Sequence, residues 1–316
     1  MSSIDGRADP ARTLSSRSRQ PNPDPPMTFD TFIATAWNDH GDRPREVADR
    51  LRPALPLIAS AAQVPPFARL VTHVCGEHLG AWEEGIALLA AVRDLPVAAG
   101  DAEAKGALAR GAATLRYAGG DAQALGGLTD ADRIAALAGA ASIFAGRGAF
   151  AAAIAAYREA DAGAGNALPA GSPAVRALAV AGNNLAVALQ EKPDRDAAET
   201  DGMVAAARGG LRYWRRAGTW LEEERAHHRL AHCLLAGGNP AAAADSAQDC
   251  ITVCERNDAP AFEQFFGYAV LALARRATGD DLAFAAAREH ALRLYARVPD
   301  DEREWCAADV TALADA

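Results

Sequence analysis

Lysine is almost missing: of 32 basic residues only Lys105 and Lys192 are lysine, and 41 acidic residues leave a formal charge of −9. A chain of that sign lacks the basic surface that displaces counterions from phosphates, which excludes a general nucleic-acid binder. The arginine skew reads as GC-rich codon usage, so arginine identity alone carries little information. The five cysteines, Cys75, Cys233, Cys250, Cys254 and Cys306, are an odd number with no disulfide-framework spacing, and a reducing compartment fits them. No run of 18 apolar residues is free of charge, which leaves no membrane span, and the N-terminus has no apolar core of a signal peptide. A cytoplasmic protein is expected. β-branched residues are sparse and aromatics reach only 6%, so strands have little to build on.

What fills the chain instead is alanine, about 80 of its 316 residues. Alanine is the best helix former, and the fold class expected is all-α. Its small side chain lets helices approach closely, but each helix then buries little surface and needs several neighbours.

Residues 1 to 27 run from Ser2, Ser3, Ser15, Ser16 and Ser18 into Pro21, Pro23, Pro25 and Pro26. That composition cannot form a core, and the segment is expected to be disordered, with Met27 a candidate initiator. Asp5, Asp9 and Asp24 argue against a targeting peptide. The ordered domain is expected over 28–316. Within it Pro96, Pro169, Pro173, Pro193, Pro240, Pro260 and Pro299 stand where helices start or stop. Gly80, Gly119, Gly120, Gly148, Gly237, Gly238 and Gly279 mark turns between them. A turn every 30 to 40 residues or so is the spacing of stacked helical hairpins.

The clearest hairpin begins with Leu137, Ala140, Ala141 and Phe144 in one apolar stripe, turns at Gly148, and returns through Phe150, Ala153, Tyr157 and Ala160. Ala141 and Ala153 would touch at the crossing. This pattern resembles the tetratricopeptide repeat (TPR) family. It recurs in Leu230, Ala231, Leu234, Gly238, Ala243, Ala247 and Cys250, and in Gly80, Trp82, Gly85, Leu89 and Val92. Asn184, Leu185, Ala186 and Leu189 begin a further unit whose partner helix spans about residues 197–216. A truncated unit around Ala112, Leu115 and Gly119 ends before Thr129, the N-cap of the next helix. In the last unit Arg275 occupies a position where the pattern wants an apolar residue. Helices near 29–40 and 45–60 read as a degenerate first unit. The resemblance implies a right-handed superhelical solenoid of six to seven hairpins. Residues 300–316 would form a capping helix with Trp305 and Cys306 turned inward.

No Gly-x-Ser-x-Gly, phosphate loop or His-Glu-x-x-His occurs, and the run Gly163, Ala164, Gly165 lacks the third glycine of a dinucleotide site. No enzyme and no cofactor are expected. The densest functional-group cluster runs from Glu222 to Cys233. At 100° per residue Leu230, Ala231, Leu234 and His227 point one way, while Arg225, His228, Arg229 and His232 share the opposite face. The resemblance puts first helices along a concave groove, and so puts these four on its inner surface. Arg110, Arg116, Asn183, Asn184 and Arg276 occupy corresponding faces of other first helices. The plain alternative is a solvated charged face. The functional alternative is a recognition strip, asparagines bonding a peptide backbone and arginines a carboxylate.

Zinc is a second reading of the cluster, because His228 and His232 are four apart and Cys250 would lie level with His227. The thiols would face the packed side, however, and read as small hydrophobes; no metal site is expected. Phe262, Phe265, Phe266 and Tyr268, like Tyr213, Trp214 and Trp220, read as packing between repeats or as a surface for a partner helix. The expectation is a non-enzymatic scaffold binding a protein or peptide, acidic or with a C-terminal carboxylate, away from nucleic acid and membrane. The rival is a sensor whose groove takes a small molecule or signal peptide.

Overall fold

The computed structural model describes residues 27–165, 168–169 and 171–314, so the disorder expected of the first 26 residues lies outside the described chain. The described residues form fourteen α-helices and no strand. These are α1 (Phe29–Asp39), α2 (Pro44–Leu51), α3 (Val64–Val71), α4 (Trp82–Arg93), α5 (Ala102–Ala118), α6 (Asp130–Gly146) and α7 (Phe150–Ala164). They continue with α8 (Pro173–Glu191), α9 (Ala197–Ala217), α10 (Trp220–Ala236), α11 (Pro240–Arg256), α12 (Ala261–Ala277), α13 (Asp281–Tyr295) and α14 (Ala307–Ala314). Between α3 and α4 the chain runs on without a break as a π-helix, Thr72–Leu79. Antiparallel pairs α3 with α4, α6 with α7, α8 with α9, α10 with α11 and α12 with α13 stack in chain order, and α5 stands alone between two of them.

Local chemistry sets the helix ends. Thr129 accepts the amide of Asp132, Asp196 that of Glu199, Asn239 that of Ala242 and Asp280 that of Ala283, each supplying one acceptor to a helix start that lacks them. Three hairpin turns share one closure. Gly148, Gly238 and Gly279 take left-handed φ of 71°, 75° and 75°. The next amide, of Ala149, Asn239 or Asp280, reaches back to the carbonyl of Phe144, Leu234 or Arg275. Only glycine adopts that φ without a steric cost, which is why the turn repeats with the residue. After α5 the same closure forms at Gly120, but Gly126, Gly127 and the Thr129 cap start α6 before a partner helix can form.

Small residues hold the pairs together. Ala141, Ala153, Ala231 and Ala243 are all fully buried. The α8–α9 pair is closer still: a Cβ on Gly182 would come within 2.8 Å of both the Ala206 carbonyl oxygen and the Gly210 nitrogen. The two backbones therefore touch there. Gly76 has the same role within the N-terminal part of the core, since a Cβ on it would meet Ile143 Cδ1 at 2.6 Å and Leu115 Cδ2 at 3.0 Å. One apolar cluster extends from Phe29 to Leu115 and Ile143, the other from Ala113 to Leu313.

Two expectations need correction. The second helix of the first unit stops at Leu51, because Pro53 and Pro56 cannot continue it and the chain passes through short 3₁₀ turns. At the C-terminus Cys306 is buried but Trp305 is 75% exposed. The 3₁₀ turn Arg303–Cys306 folds the chain back so that α14 packs on α12. Asp309 comes 4.0 Å from His232 on α10, and Arg288 donates to the Leu313 carbonyl at 2.8 Å. Leu282, on the outer side of the last hairpin, is 87% exposed. The C-terminal helix thus covers the face that carries His232.

Leucine at Ala153 would need space that the α6–α7 crossing lacks, whereas Ala152 is exposed. Overpacking of this kind costs about 1–3 kcal/mol. Ala153→Leu is expected to lower the denaturant midpoint clearly and Ala152→Leu to leave it near the parent value; equal effects of the two would refute the crossing assignment.

Candidate interaction groove

The first helices of the hairpins lie side by side, and their shared face carries two cavities. The first, about 380 Å³, is walled by α3, the π-helix, α5, α6 and α8, with Trp37, Arg69, His73, Arg110 and Asn184 on its lining. The second, about 590 Å³, lies between α8, α10, α12 and the Arg303–Cys306 turn, lined by Asn183, Arg225, Arg229, Phe262, Glu263 and Trp305. Asn183 and Asn184 are neighbours on α8 and divide between the two.

The nine residues singled out in the sequence do not all meet. Asn183, Arg225, His228 and Arg229 line the second cavity, and His232 lies behind them, its Nε2 3.0 Å from that of His228. Arg110 and Asn184 line the first. Arg116 points the other way from α5, into a depression shared with Arg93 and Lys105. Arg276 donates to the Ala312 carbonyl at 3.4 Å and covers the Phe284 ring, so it holds α14. A helix turn of 3.6 residues separates Arg110 from Arg116 by about 240°, which accounts for their opposite faces.

Much of the expected positive charge is already engaged. Arg225 is ion-paired to Glu263 on α12, and Arg110 to Asp132 at 2.7 Å. Arg229 donates to Gln190 Oε1 at 2.9 Å, while its Nε is buried with no partner among the described residues. Burial, the facing His232 ring and Arg229 hold His228 well below the ordinary histidine range; burial and then Arg229 bring His232 to about 4. Both imidazoles are therefore neutral at pH 7, and they offer a donor and an acceptor, not a cation. Phe266 meets His228 edge to face at 5.5 Å and Phe262 at 5.1 Å, making one aromatic wall. Phe265, one position away, is fully buried. The aromatic run of α12 accordingly serves both packing and the groove.

His227 turns to the packed side, as its place in the apolar row implies, where Ser246 Oγ donates to its backbone carbonyl at 3.0 Å. The thiols lie one helical turn away from the expected level. Cys250 and Cys254 face Glu224, at 3.5 and 3.9 Å from its Oε2. Glu224 is buried, and burial first, then the Glu263 carboxylate, push it far above the usual carboxylate range. Glu224 lies within the Glu222–Cys233 cluster but was given no role there, and Glu263 and Gln190 were not among the residues the sequence marked out. Pairing across the α10–α12 and α8–α10 contacts gives them their roles, and nothing in local spacing signals it.

Three groups among the described residues place metal-binding atoms within reach of one another: His40, His73 and His78; Glu224, Cys250 and Cys254; and His228, His232 and Asp309. No helix among the described residues is long and apolar enough to cross a membrane.

No protein-family model and no curated protein matches the sequence. Among solved structures, the chain is similar to a Podosopora anserina protein described as a kinesin light chain with nearly identical TPR-like repeats. The identity is 16% and the TM-score 0.45, over 74% of this chain and 94% of that one. A single-substitution form of the same protein gives 15% identity and a TM-score of 0.44 at the same coverage.

Histidines held neutral by burial take up protons on unfolding, so their contribution to stability is complete above the ordinary histidine range and is lost as the pH falls through it toward about 4. The urea midpoint is expected to fall between pH 7 and pH 5, and a His228→Gln, His232→Gln double variant to fall less. An undiminished fall in the double variant would show that the pair titrates normally. The stacking of antiparallel hairpins through buried alanine and glycine crossings makes this chain an all-α protein of stacked helical hairpins.

Proposed function

We propose that the chain is a non-enzymatic protein-interaction scaffold that receives an extended peptide along α8, α10 and α12. The observation that carries this reading is the makeup of the second cavity: Phe262, Phe266 and the exposed Trp305 beside Asn183 and Arg229. An apolar side chain of the peptide would seat against the aromatic wall. Asn183 can donate to and accept from a peptide backbone at once. Arg229 would take a carboxylate of the peptide through a charge-assisted bond. Arg225, already paired with Glu263, sets the cavity's shape more than its charge. Affinity would come from these contacts together, without a reactive centre.

A small-molecule sensor is the second reading, favoured by the first cavity, whose size falls in the range of small-ligand sites and whose walls are mostly apolar. A ligand acting there would change the radius measured by solution scattering.

Selection of random peptides on the immobilised full chain, with free and with amidated C-termini, tests the groove. Enriched sequences should pair an aromatic or aliphatic residue with a carboxylate. Arg229→Ala should weaken the best of them about tenfold or more, since a charged hydrogen bond is worth about 1.5–3 kcal/mol. Arg116→Ala, on the opposite face, should leave binding unchanged. Failure to enrich any peptide, or equal binding by Arg229→Ala, would reject the proposal.

A further inference from the structure

We propose that His40, His73 and His78 form a binding site for a divalent transition-metal ion of the zinc class. The site is separate from the peptide reading and lies at the other end of the groove.

Its origin is the π-helix. In an α-helix residues five apart are rotated by about 140° and cannot meet. The i to i+5 bonding of a π-helix brings them one above the other. Over Thr72–Leu79 this sets His78 above His73, with their Nε2 atoms 3.1 Å apart. His40, at the C-terminal end of α1, closes the group from outside, its ring centroid 4.8 Å from that of His73 and 5.1 Å from that of His78. One nitrogen from each ring lies within 4.8 Å of the other two.

The outer nitrogens are already assigned. His40 Nδ1 lies 2.5 Å from the Trp37 carbonyl oxygen, and His73 Nδ1 lies 2.9 Å from Glu77 Oε2. Each partner accepts a hydrogen bond from Nδ1–H, which leaves for a ligand the Nε2 lone pair of His40 and, once the ion displaces the proton held between the His73 and His78 Nε2 atoms, that of His73. A carboxylate or carbonyl behind the ring is the arrangement that orients metal-binding histidines. Zinc–nitrogen bonds of about 2.0–2.1 Å at tetrahedral angles put ligand nitrogens about 3.3 Å apart, close to the His73–His78 spacing. Three imidazoles are borderline-soft donors, which suits zinc, cobalt, nickel or copper and not magnesium or calcium. His73 and Glu77 also line the first cavity, so a fourth position filled by solvent would open toward it.

The other two clusters are weaker. His232 and Asp309 are 4.0 Å apart, and among the described residues no hydrogen-bond partner lies behind either ring of the His228–His232 pair; Glu224, pushed above the usual carboxylate range by burial, already accepts from Cys250.

Titration of the full chain without a histidine tag by Co²⁺, followed by Zn²⁺ displacement, tests the site. One Co²⁺ per chain is expected, with the visible absorption of a nitrogen-ligated ion that Zn²⁺ abolishes. His40→Ala, His73→Ala and His78→Ala should each weaken binding at least tenfold, and His290→Ala, on α13, should not. Glu77→Gln removes no ligand and should weaken binding about tenfold by freeing the His73 ring; it also reads out the site should an alanine variant fail to fold. Absence of saturable micromolar binding, binding unchanged in the three histidine variants and in Glu77→Gln, or loss of the ion on His228→Ala instead, would each overturn the proposal.

Discussion

Contact between helix backbones is the constraint on which the rest of this molecule depends. At Gly182 α8 and α9 approach until no Cβ fits between them, and at Gly210 a Cβ would sit only 3.1 Å from the Asn183 nitrogen. At Ala141, Ala153, Ala231 and Ala243 the margin is one methyl group. Small residues at a crossing bury little area each, so no single hairpin can outweigh the entropy of ordering its chain. Stability must come from neighbours, and stacking in chain order follows from that need. The same closeness fixes the side-by-side spacing of the first helices. It therefore fixes which side chains share the cavities on their common face.

The N-terminal part solves the packing problem differently. Gly76 lets Ile143 and Leu115 close in on the chain between α3 and α4, and Gly85 lies against Leu115 and Cys75. That chain is wound as a π-helix, wider than an α-helix, and it ends on Gly80 in the left-handed region. The wider winding changes which side chains align. His73 and His78 come together because of it, and Glu77 sits where it can hold one of them. A packing requirement and a constellation of donor atoms thus share one stretch of eight residues.

Charge in the groove is arranged by pairing more than by sequence. Arg225 and Glu263 come from α10 and α12, and Arg229 and Gln190 from α10 and α8. Glu224 of α10 is buried against two thiols of α11. Burial keeps His228 and His232 uncharged. A face that reads as a basic strip along one helix is, once its neighbours are in place, a mixed polar wall with aromatic rings set into it. The C-terminal turn adds Trp305 and Glu302 to that wall from far along the chain.

By itself the sequence determined what rests on local chemistry. Alanine content dictated helices, prolines and N-caps such as Thr129 dictated their starts, and the glycines at 148, 238 and 279 dictated the turns, because propensity, capping and left-handed φ act within a few residues. The alanine crossings and the inward turn of His227 were legible for the same reason, as matters of periodicity. Tertiary structure alone decided the partners: Glu263 for Arg225, Glu224 for the thiols, the outward turn of Trp305, and the course of α14 over α12 and α10. It also decided the meeting of His40 with His73 and His78. Those depend on how far apart two helices stand and how one of them is wound, quantities that an α-helical periodicity read along the chain does not contain.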